Sequence, residues 1–192
     1  DMQRRTLHRL NILITDILDF SRNKRTILSF EPVDFTELLN SALDDHQFSD
    51  NSSHIERTAE VKQDVIFFTD TSRINMILYN LISNGLKYHD IYKKDPYLKV
   101  LISVNTREAQ IQVIDNGAGI SKEDLEHIFT MFFQAKSESQ GSGLGLYIVH
   151  EAVEKLGGKI NIDSRLGEGT TFTVLIPNQN ETDEIFYPDI II

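Results

Sequence analysis

A strongly amphipathic helical segment, followed by two strand-like segments on either side of a short turn, limits the folds open to this chain. Apolar residues between positions 74 and 86 recur at three- and four-residue steps, as on one face of a helix. Residues 98–104 and 110–114 have strand character, and the five residues between them predict a hairpin turn. Because hairpins pair antiparallel strands, we expect an α+β chain with a mixed sheet rather than a purely parallel one.

The remaining patterns complete this architecture. Asp34 is placed to begin a helix, with Glu37 in the capping-box position, and Asp70 or Thr71 can begin the 74–86 helix. The apolar run 65–68 predicts a strand, and Ser121 predicts the start of a short helix. Residues 144–156 predict a helix ended by two glycines, and 159–164 and 170–176 predict the last two strands. The predicted fold is a two-layer α/β sandwich with a mixed, mostly antiparallel sheet.

The first 28 residues predict a long helix that precedes this sandwich. Leucine, isoleucine and phenylalanine between positions 7 and 20 form a broad apolar stripe. Two interpretations are open from the pattern alone, one side of a helical bundle or a helix lying on its own domain. Since the pattern is already under way at Asp1, we expect the chain to be part of a longer protein. The acidic and then isoleucine-rich segment 178–192 is interpreted only as a tail or linker.

Composition narrows the classes of function. The formal net charge of −10 disfavours binding to nucleic acid, whose phosphates the surface would repel. The absence of cysteine excludes disulfides, thiolate zinc sites and cysteine nucleophiles, and it suits a cytoplasmic location. No apolar run reaches the roughly 18–20 residues that span a bilayer. A membrane anchor elsewhere in the longer protein stays open.

Three segments contain side chains or backbone suited to a nucleotide. Asn80, Asn84, Lys87 and Tyr88 lie about one turn apart on one helix face, and amide oxygens can ligate Mg²⁺ beside substrate phosphates. A strand ends in Asp115-x-Gly117-x-Gly119, where the acid can accept a hydrogen bond from an amino group. Alone, the first segment is more often an ordinary amphipathic helix, and the second a plain turn.

The third segment runs directly into a helix. Gly141, Gly143 and Gly145 alternate with Ser142, Leu144 and Leu146 immediately before and within the helix start. Free amides at a helix N-terminus form an anion site. The spacing is neither that of a Walker loop nor that of the dinucleotide fingerprint, which leaves another mode of phosphate binding.

In this order, the three segments resemble the N, G1 and G2 boxes of the GHKL ATPase superfamily, whose nucleotide-binding domain is known as HATPase_c. The segment 129–133 resembles the F box of sensor histidine kinases, 16–22 and 31–34 resemble the second dimerisation helix and its linker, and 167–172 resembles that family's closing hairpin. The resemblance covers residues 1 to about 177. It implies a Bergerat-type ATP-binding domain at 29–177, a partial dimerisation and phosphotransfer domain at 1–28, and a tail at 178–192.

The resemblance also implies roles for individual residues. Asn84 would ligate Mg²⁺, and Asn80 and Lys87 would lie near the phosphates as the other catalytic residues. Asp115 would accept the adenine amino hydrogen, with Gly117 and Gly119 beneath the base. Residues 134–142 would form the ATP lid, with Lys136 as its cation. The full set of residues expected to contact ATP is Asn80, Asn84, Lys87, Tyr88, Asp115, Gly117, Gly119, Ile120, Phe132, Lys136, Gly141, Ser142, Gly143, Leu144, Gly145, Leu146 and Thr171.

The resemblance further implies the reaction and its partners. The activity would be ATP-dependent phosphorylation of a histidine on the dimerisation domain, followed by relay to an aspartate of a response regulator receiver domain. In the full-length protein, the chain would belong to a homodimer. His8 is not followed by the motif expected of the acceptor, so we expect the acceptor to lie outside these 192 residues.

Three other functions remain open. A hydrolysing relative would need a carboxylate one turn before the magnesium ligand, and Asn80 occupies that place. Serine kinases of the anti-sigma type share the fold, usually keep that carboxylate, and lack the dimerisation helix. A nucleotide-sensing module without catalysis would need only the binding boxes.

Overall fold

The structure is a computed structural model that describes residues 14, 27–44, 54–135 and 142–179. Within these residues, the helices are α1 (Phe35–Asp44), α2 (Thr71–Lys87), α3 (Lys122–Leu125) and α4 (Gly145–Lys155). The strands are β1 (Glu31–Pro32), β2 (Glu56–Gln63), β3 (Phe68–Thr69), β4 (Tyr97–Val104), β5 (Glu108–Asp115), β6 (Lys159–Arg165) and β7 (Gly169–Pro177).

The main sheet has five strands in the order β2-β4-β5-β7-β6. Only the pair β2–β4 is parallel, and the other three pairs in this sheet are antiparallel. Strands β4 and β5 form the predicted hairpin, and β6 and β7 form a second one. The prediction of a mixed, mostly antiparallel sheet is therefore confirmed.

Helices α1, α2 and α4 cover one face of this sheet and form the core with it. The predicted apolar stripe of α2 is buried throughout, and alternate residues of β4, β5 and β7 meet it from the sheet side. The stripe residues of α2 are Ile74, Ile77, Leu78, Leu81, Ile82 and Leu86. Since helices lie on a single face, the fold is a two-layer sandwich, as predicted.

The helix starts follow the predicted capping residues. The Asp34 Oδ1 atom accepts hydrogen bonds from the backbone N–H groups of Thr36 and Glu37 at 2.8 and 3.2 Å. Asp70 is the N-cap of α2, and Ser121 is the N-cap of α3. Helix α4 differs, because its N-cap is Leu144, which makes no side-chain capping hydrogen bond.

Asp70 also connects the segment before β1 to the start of α2. Its carboxylate accepts hydrogen bonds from the backbone N–H groups of Ser29 and Arg73, both at 3.0 Å. The same carboxylate forms an ion pair with the Arg73 guanidinium, and both side chains are almost fully buried. A short antiparallel pairing of β1 with β3 holds the same segment against the domain.

One strand prediction is wrong. The apolar run 65–68 was expected to be a strand. The structure instead forms the long edge strand β2 (Glu56–Gln63), while only Phe68 of the apolar run is in a strand. Phe67 is fully buried outside any strand and packs edge-on against Phe35. An edge strand with one exposed face needs few apolar residues, so its sequence is mostly polar.

Several predictions fall outside the described residues. They are the helix over positions 7–20, most of the 134–142 lid, and the tail from residue 180 onward. Within the described part of the chain, no helix combines the length and apolar character needed to cross a membrane.

Candidate nucleotide-binding site

The three motifs meet at one end of the main sheet. Strand β5 ends there at Asp115, β7 begins there at Gly169, and Asp115 pairs with Thr170 across the two strands. The C-terminal half of α2 lies against this end of the sheet. A Cβ added at Gly85 would lie 3.8 Å from the Asp115 Cβ atom and would clash with the Leu98 side chain, which shows how close the helix is. The fold therefore brings the N and G1 boxes together.

The N box also contacts the G2 box. A Cβ at Gly145, the first residue of α4, would lie 2.8 Å from the Asn80 Oδ1 atom. The Asn80 Nδ2 group donates to the Met76 carbonyl at 2.9 Å, which fixes the amide so that its oxygen faces α4. Asn84 lies one turn further along α2, and its half-buried side chain makes no hydrogen bond to any described residue. Its amide oxygen is therefore available to a ligand.

Lys87 and Tyr88 form a contact pair at the end of α2. The Lys87 ammonium donates to the Tyr88 hydroxyl at 2.8 Å and lies 4.4 Å from the centre of the tyrosine ring. Tyr88 remains 43% exposed. The Lys87 ammonium therefore lies against the face of the Tyr88 ring.

Asp115 is a desolvated carboxyl group. Its Oδ1 atom accepts a hydrogen bond from the Gly117 backbone N–H at 2.7 Å. Burial raises the pKa of Asp115 from 3.8 to about 6, while backbone hydrogen bonds from Gly117 and Thr170 and the charge of Lys93 oppose the rise. A partly buried acceptor with spare lone pairs suits a hydrogen-bond donor on a flat base.

The two glycines after Asp115 are required by their protein neighbours. A Cβ at Gly117 would lie 2.5 Å from the Tyr88 carbonyl oxygen and 2.8 Å from Asp115 Oδ1. Gly119 has a φ of +66°, and a Cβ there would clash with the Arg165 carbonyl. The resemblance implies that these glycines lie beneath the base. The structure adds that they let the 115–119 segment fit between the end of α2 and the β6–β7 turn.

Thr171 does not lie at the site that the structure brings together. Because side chains alternate along β7, Thr171 shares the outer sheet face with Thr173, whereas Thr170 shares the helix-covered face with the buried Phe172. Thr170 is 7% exposed and is the cross-strand partner of Asp115. The structure therefore favours Thr170 over Thr171 as the threonine beside Asp115. The period-two pattern of Phe172, Val174 and Ile176 could have identified Thr170.

Ile120 lies beside Ser164 and Thr170, next to the start of β7. Its backbone N–H donates to the Ser164 hydroxyl at 2.9 Å, and this hydroxyl lies 2.9 Å from the Thr170 hydroxyl. The Ile120 side chain is half-buried against the core. Strands β6 and β7 thus fix the residue that follows the second G1 glycine.

The start of α4 offers backbone donors. Leu144 is buried, and its N–H is turned toward the Ser142 hydroxyl at 3.0 Å. Without a capping side chain, the N–H groups of Gly145 and Leu146 can donate to an anion, which the helix dipole favours. The Asn80 side chain of α2 lies next to this helix start, at Gly145.

Phe132 and Gly143 join the F box to the G2 box. The Phe132 N–H donates to the Gly143 carbonyl at 3.0 Å, and both residues have positive φ, +64° and +75°. A Cβ at Gly143 would lie 2.6 Å from the Phe132 carbonyl carbon, so only glycine fits. Phe132 itself is 57% exposed. Lys136 and Gly141, also predicted to contact ATP, lie outside the described residues.

The described side chains contain no cluster of three or more histidine, cysteine, aspartate or glutamate residues able to hold a metal ion.

Comparisons with known proteins agree with this geometry. The model of the family described as histidine kinase-, DNA gyrase B-, and HSP90-like ATPase matches residues 69–180. The autoinducer 2 sensor kinase/phosphatase LuxQ of Vibrio cholerae is 35% identical over 173 residues, which cover 86% of this chain and 20% of LuxQ. The chain thus spans about a fifth of this curated relative.

Solved structures show the same relationship. The catalytic domain of histidine kinase ThkA superimposes with a TM-score of 0.66 at 26% identity, covering 78% of this chain and 98% of that domain. Full-length ShkA in complex with AMPPNP gives a TM-score of 0.73 at 26% identity, covering 86% of this chain and 35% of ShkA. The chain belongs to the family of histidine kinase-, DNA gyrase B- and HSP90-like ATPases and has the fold of the catalytic domains of sensor histidine kinases.

Proposed function

We propose that this chain is the ATP-binding catalytic domain of a sensor histidine kinase. It would transfer the ATP γ-phosphate to a histidine on a dimerisation domain, for relay to an aspartate of a response regulator receiver domain. The catalytic domain would comprise residues 29–177, preceded by part of the dimerisation domain at 1–28 and followed by a tail. In the longer protein, the chain would form a homodimer.

The observation that favours transfer over hydrolysis is the identity and fixation of Asn80. A hydrolysing enzyme needs a carboxylate here to activate water, and an amide is a poor base. The Asn80 amide group is also held between the Met76 carbonyl and Gly145. The site can therefore position ATP without activating a water molecule.

Asn84 fits the role of the magnesium ligand. Asn84 is half-buried, its amide oxygen has no hydrogen-bond partner among the described residues, and oxygen is the donor that Mg²⁺ prefers. When bound, Mg²⁺ would neutralise part of the phosphate charge. Lys87 would turn from the Tyr88 ring toward the same phosphates.

The other residues would bind and orient the nucleotide. Asp115 would accept a hydrogen bond from the adenine amino group, beside Thr170, Ile120 and Tyr88. The backbone N–H groups at 143–146 would donate to phosphate oxygens at the start of α4. Ser142, Phe132, Lys136 and Gly141 would close over the phosphates as part of the lid.

Phosphoryl transfer then depends on position and charge rather than on a protein base. A neutral imidazole already has a nucleophilic lone pair near pH 7, so the acceptor needs little activation. The contribution of this chain is to hold the γ-phosphate in line with an imidazole that the dimerisation domain presents.

The test combines the purified chain, Mg·ATP and a dimerisation domain that includes the acceptor helix. An acid-labile, base-stable phosphohistidine supports the kinase, with Asn84→Ala as the inactive control. Steady phosphate release without protein labelling supports an ATPase instead. Binding of ATP without either reaction supports a sensing module.

The pocket should prefer ATP over GTP. Guanine presents an acceptor oxygen where adenine presents a donor, so the Asp115 carboxylate would lose its partner and face a repulsive atom. In calorimetric titrations with magnesium, we expect GTP to bind at least about tenfold more weakly, the loss of one hydrogen bond to a charged group. Equal affinities would contradict the assignment of Asp115 to the base.

The two neighbouring threonines provide a matched test of the sheet face. Thr170→Val should lower ATP affinity about threefold to tenfold, because it removes a hydroxyl on the helix-covered sheet face from the residue that pairs with Asp115 across the strands. Thr171→Val makes the same chemical change on the outer face and should leave the affinity unchanged. Titrations of both variants with ATP check this, and a larger loss for Thr171→Val would contradict the face assignment.

A further inference from the structure

The G1 segment (residues 115–119) is enclosed between two loops. On one side, the Ala118 N–H donates to the Tyr88 carbonyl at 2.9 Å, which fixes the segment to the end of α2. On the other side, the Gly167 N–H donates to the Ala118 carbonyl at 2.7 Å, which fixes it to the β6–β7 turn. The position of Asp115 relative to the N box therefore depends on the spacing between these two loops.

Lys93 bridges that spacing directly. It lies in the loop between α2 and β4, and its ammonium donates to the Glu168 carbonyl in the β6–β7 turn at 2.9 Å. The loop that supplies it is locally ordered, because Asp90 accepts hydrogen bonds from the backbone N–H groups of Tyr92 and Lys93. With this bond, the two loops that contact the G1 segment are also joined to each other.

We propose that Lys93 is a positioning residue of the nucleotide site, which holds the α2–β4 loop to the β6–β7 turn and so keeps the G1 segment, and with it Asp115, in place for the base. This inference rests on the proposed function, since it concerns the same pocket. None of the sequence motifs includes Lys93, and its role follows from the tertiary contact with Glu168.

The charge of Lys93 acts in the same direction. It lowers the pKa of Asp115 against the effect of burial and so favours the ionised acceptor. The other charged or titratable groups around the segment are Lys87, which faces Tyr88, the Arg165–Glu168 pair at 3.6 Å, and His89 beside Gly117. All of these groups remain in variants of Lys93 and Lys94, so a difference in ATP affinity or in its pH dependence between those variants reports on Lys93.

The test uses the neighbouring lysine as its control. Lys93→Met should weaken Mg·ATP binding about threefold to tenfold, less than the full effect of a charge-assisted hydrogen bond, because this bond is exposed and Lys93 acts on the site only through the G1 segment. It should also move the pH at which affinity falls to a higher value, because Asp115 would then keep its proton to higher pH. Lys94→Met removes the same charge from an exposed adjacent residue and should change neither quantity. Lys93→Arg keeps the charge and the donor and should retain most of the affinity.

The outcomes separate this inference from the proposed function. If the unmodified chain does not bind Mg·ATP, the proposed function and this inference both fail. If it binds but Lys93→Met and Lys94→Met give the same affinity and the same pH midpoint, only the role of Lys93 is overturned. A lower unfolding temperature for Lys93→Met, with unchanged ATP affinity at a temperature where the variant is folded, would also overturn it, because the effect would then be merely structural.

Discussion

Replacing Asp115 with asparagine should lower Mg·ATP affinity about 10- to 100-fold, the largest functional effect that we expect from a single isosteric change. Asparagine keeps the shape and an oxygen that can accept from the Gly117 N–H. It loses the charge, and a hydrogen bond to a charged group contributes about 1.5–3 kcal/mol. Calorimetric titration at pH 8 measures the change. Asn116→Asp is not a suitable control, because the Asn116 amide accepts a hydrogen bond from the Tyr97 N–H and donates one to the Asp95 carbonyl.

The same variant should be more stable than the unmodified chain at neutral pH. The pKa of Asp115 in the folded chain is about 6, above its value of 3.8 when unfolded. The folded state therefore binds more protons between these values, and stability falls as the pH rises from about 4 to 6. Above pH 6 the full cost of burying the charge is present. We expect Asp115→Asn to gain on the order of 1 kcal/mol there, after allowance for solvent access.

Denaturant unfolding at pH 4 and pH 8 tests this sign. The difference in unfolding free energy between the variant and the unmodified chain should appear only at the higher pH. ATP affinity of the unmodified chain should also decline below about pH 6, and the variant should lack that decline. A variant that is less stable at pH 8 and binds ATP normally would contradict both the burial of the charge and its assigned role.

Replacing Asp70 with alanine should destabilise the fold by about 3–5 kcal/mol. The change removes the N-cap of α2 and the acceptor for Ser29, and it leaves the buried Arg73 guanidinium without its carboxylate. It also leaves two cations facing each other, since Lys155 on α4 is already affected by the charge of Arg73. Denaturant unfolding measures the loss.

Two matched variants separate the contributions at Asp70. Ser121→Ala removes a helix cap without an ion pair and should cost about 1 kcal/mol. The double variant Asp70→Ala/Arg73→Met should be more stable than Asp70→Ala alone, because the buried Arg73 charge is removed together with the Asp70 carboxylate. If Asp70→Ala costs no more than Ser121→Ala, the buried ion pair contributes nothing to the stability of the fold.

The elements that the sequence predicted correctly are those whose signal is local. The α2 stripe repeats at helical spacing, Asp34, Asp70 and Ser121 are short polar residues at helix starts, and both antiparallel hairpins have turn residues between them. These signals depend on neighbours within a few residues, so the pattern alone was sufficient. The motif order was likewise enough to indicate the family.

The features that the sequence predicted wrongly or left undecided concern the edge of the sheet and the two faces of its strands. Strand β2 is polar because it lies at the edge of the sheet, and nothing within its own sequence shows that β4 will pair with it. The apolar run 65–68 was mistaken for a strand because Phe67 is buried against Phe35 of α1 and not by pairing within a sheet. The choice between Thr170 and Thr171 depends on which face of β7 meets the helices.

The sequence by itself determined the helices, the hairpins and the chemical types of the site residues, because spacing and residue type act locally. Only the tertiary structure decided which of these groups meet. The contact of Asn80 with Gly145, the enclosure of the G1 segment by two loops and the bridge from Lys93 to Glu168 all join residues distant in the chain. Such contacts depend on how the helices and strands pack together. Their relative positions are fixed by burial of the shared hydrophobic core, which no local sequence preference reveals.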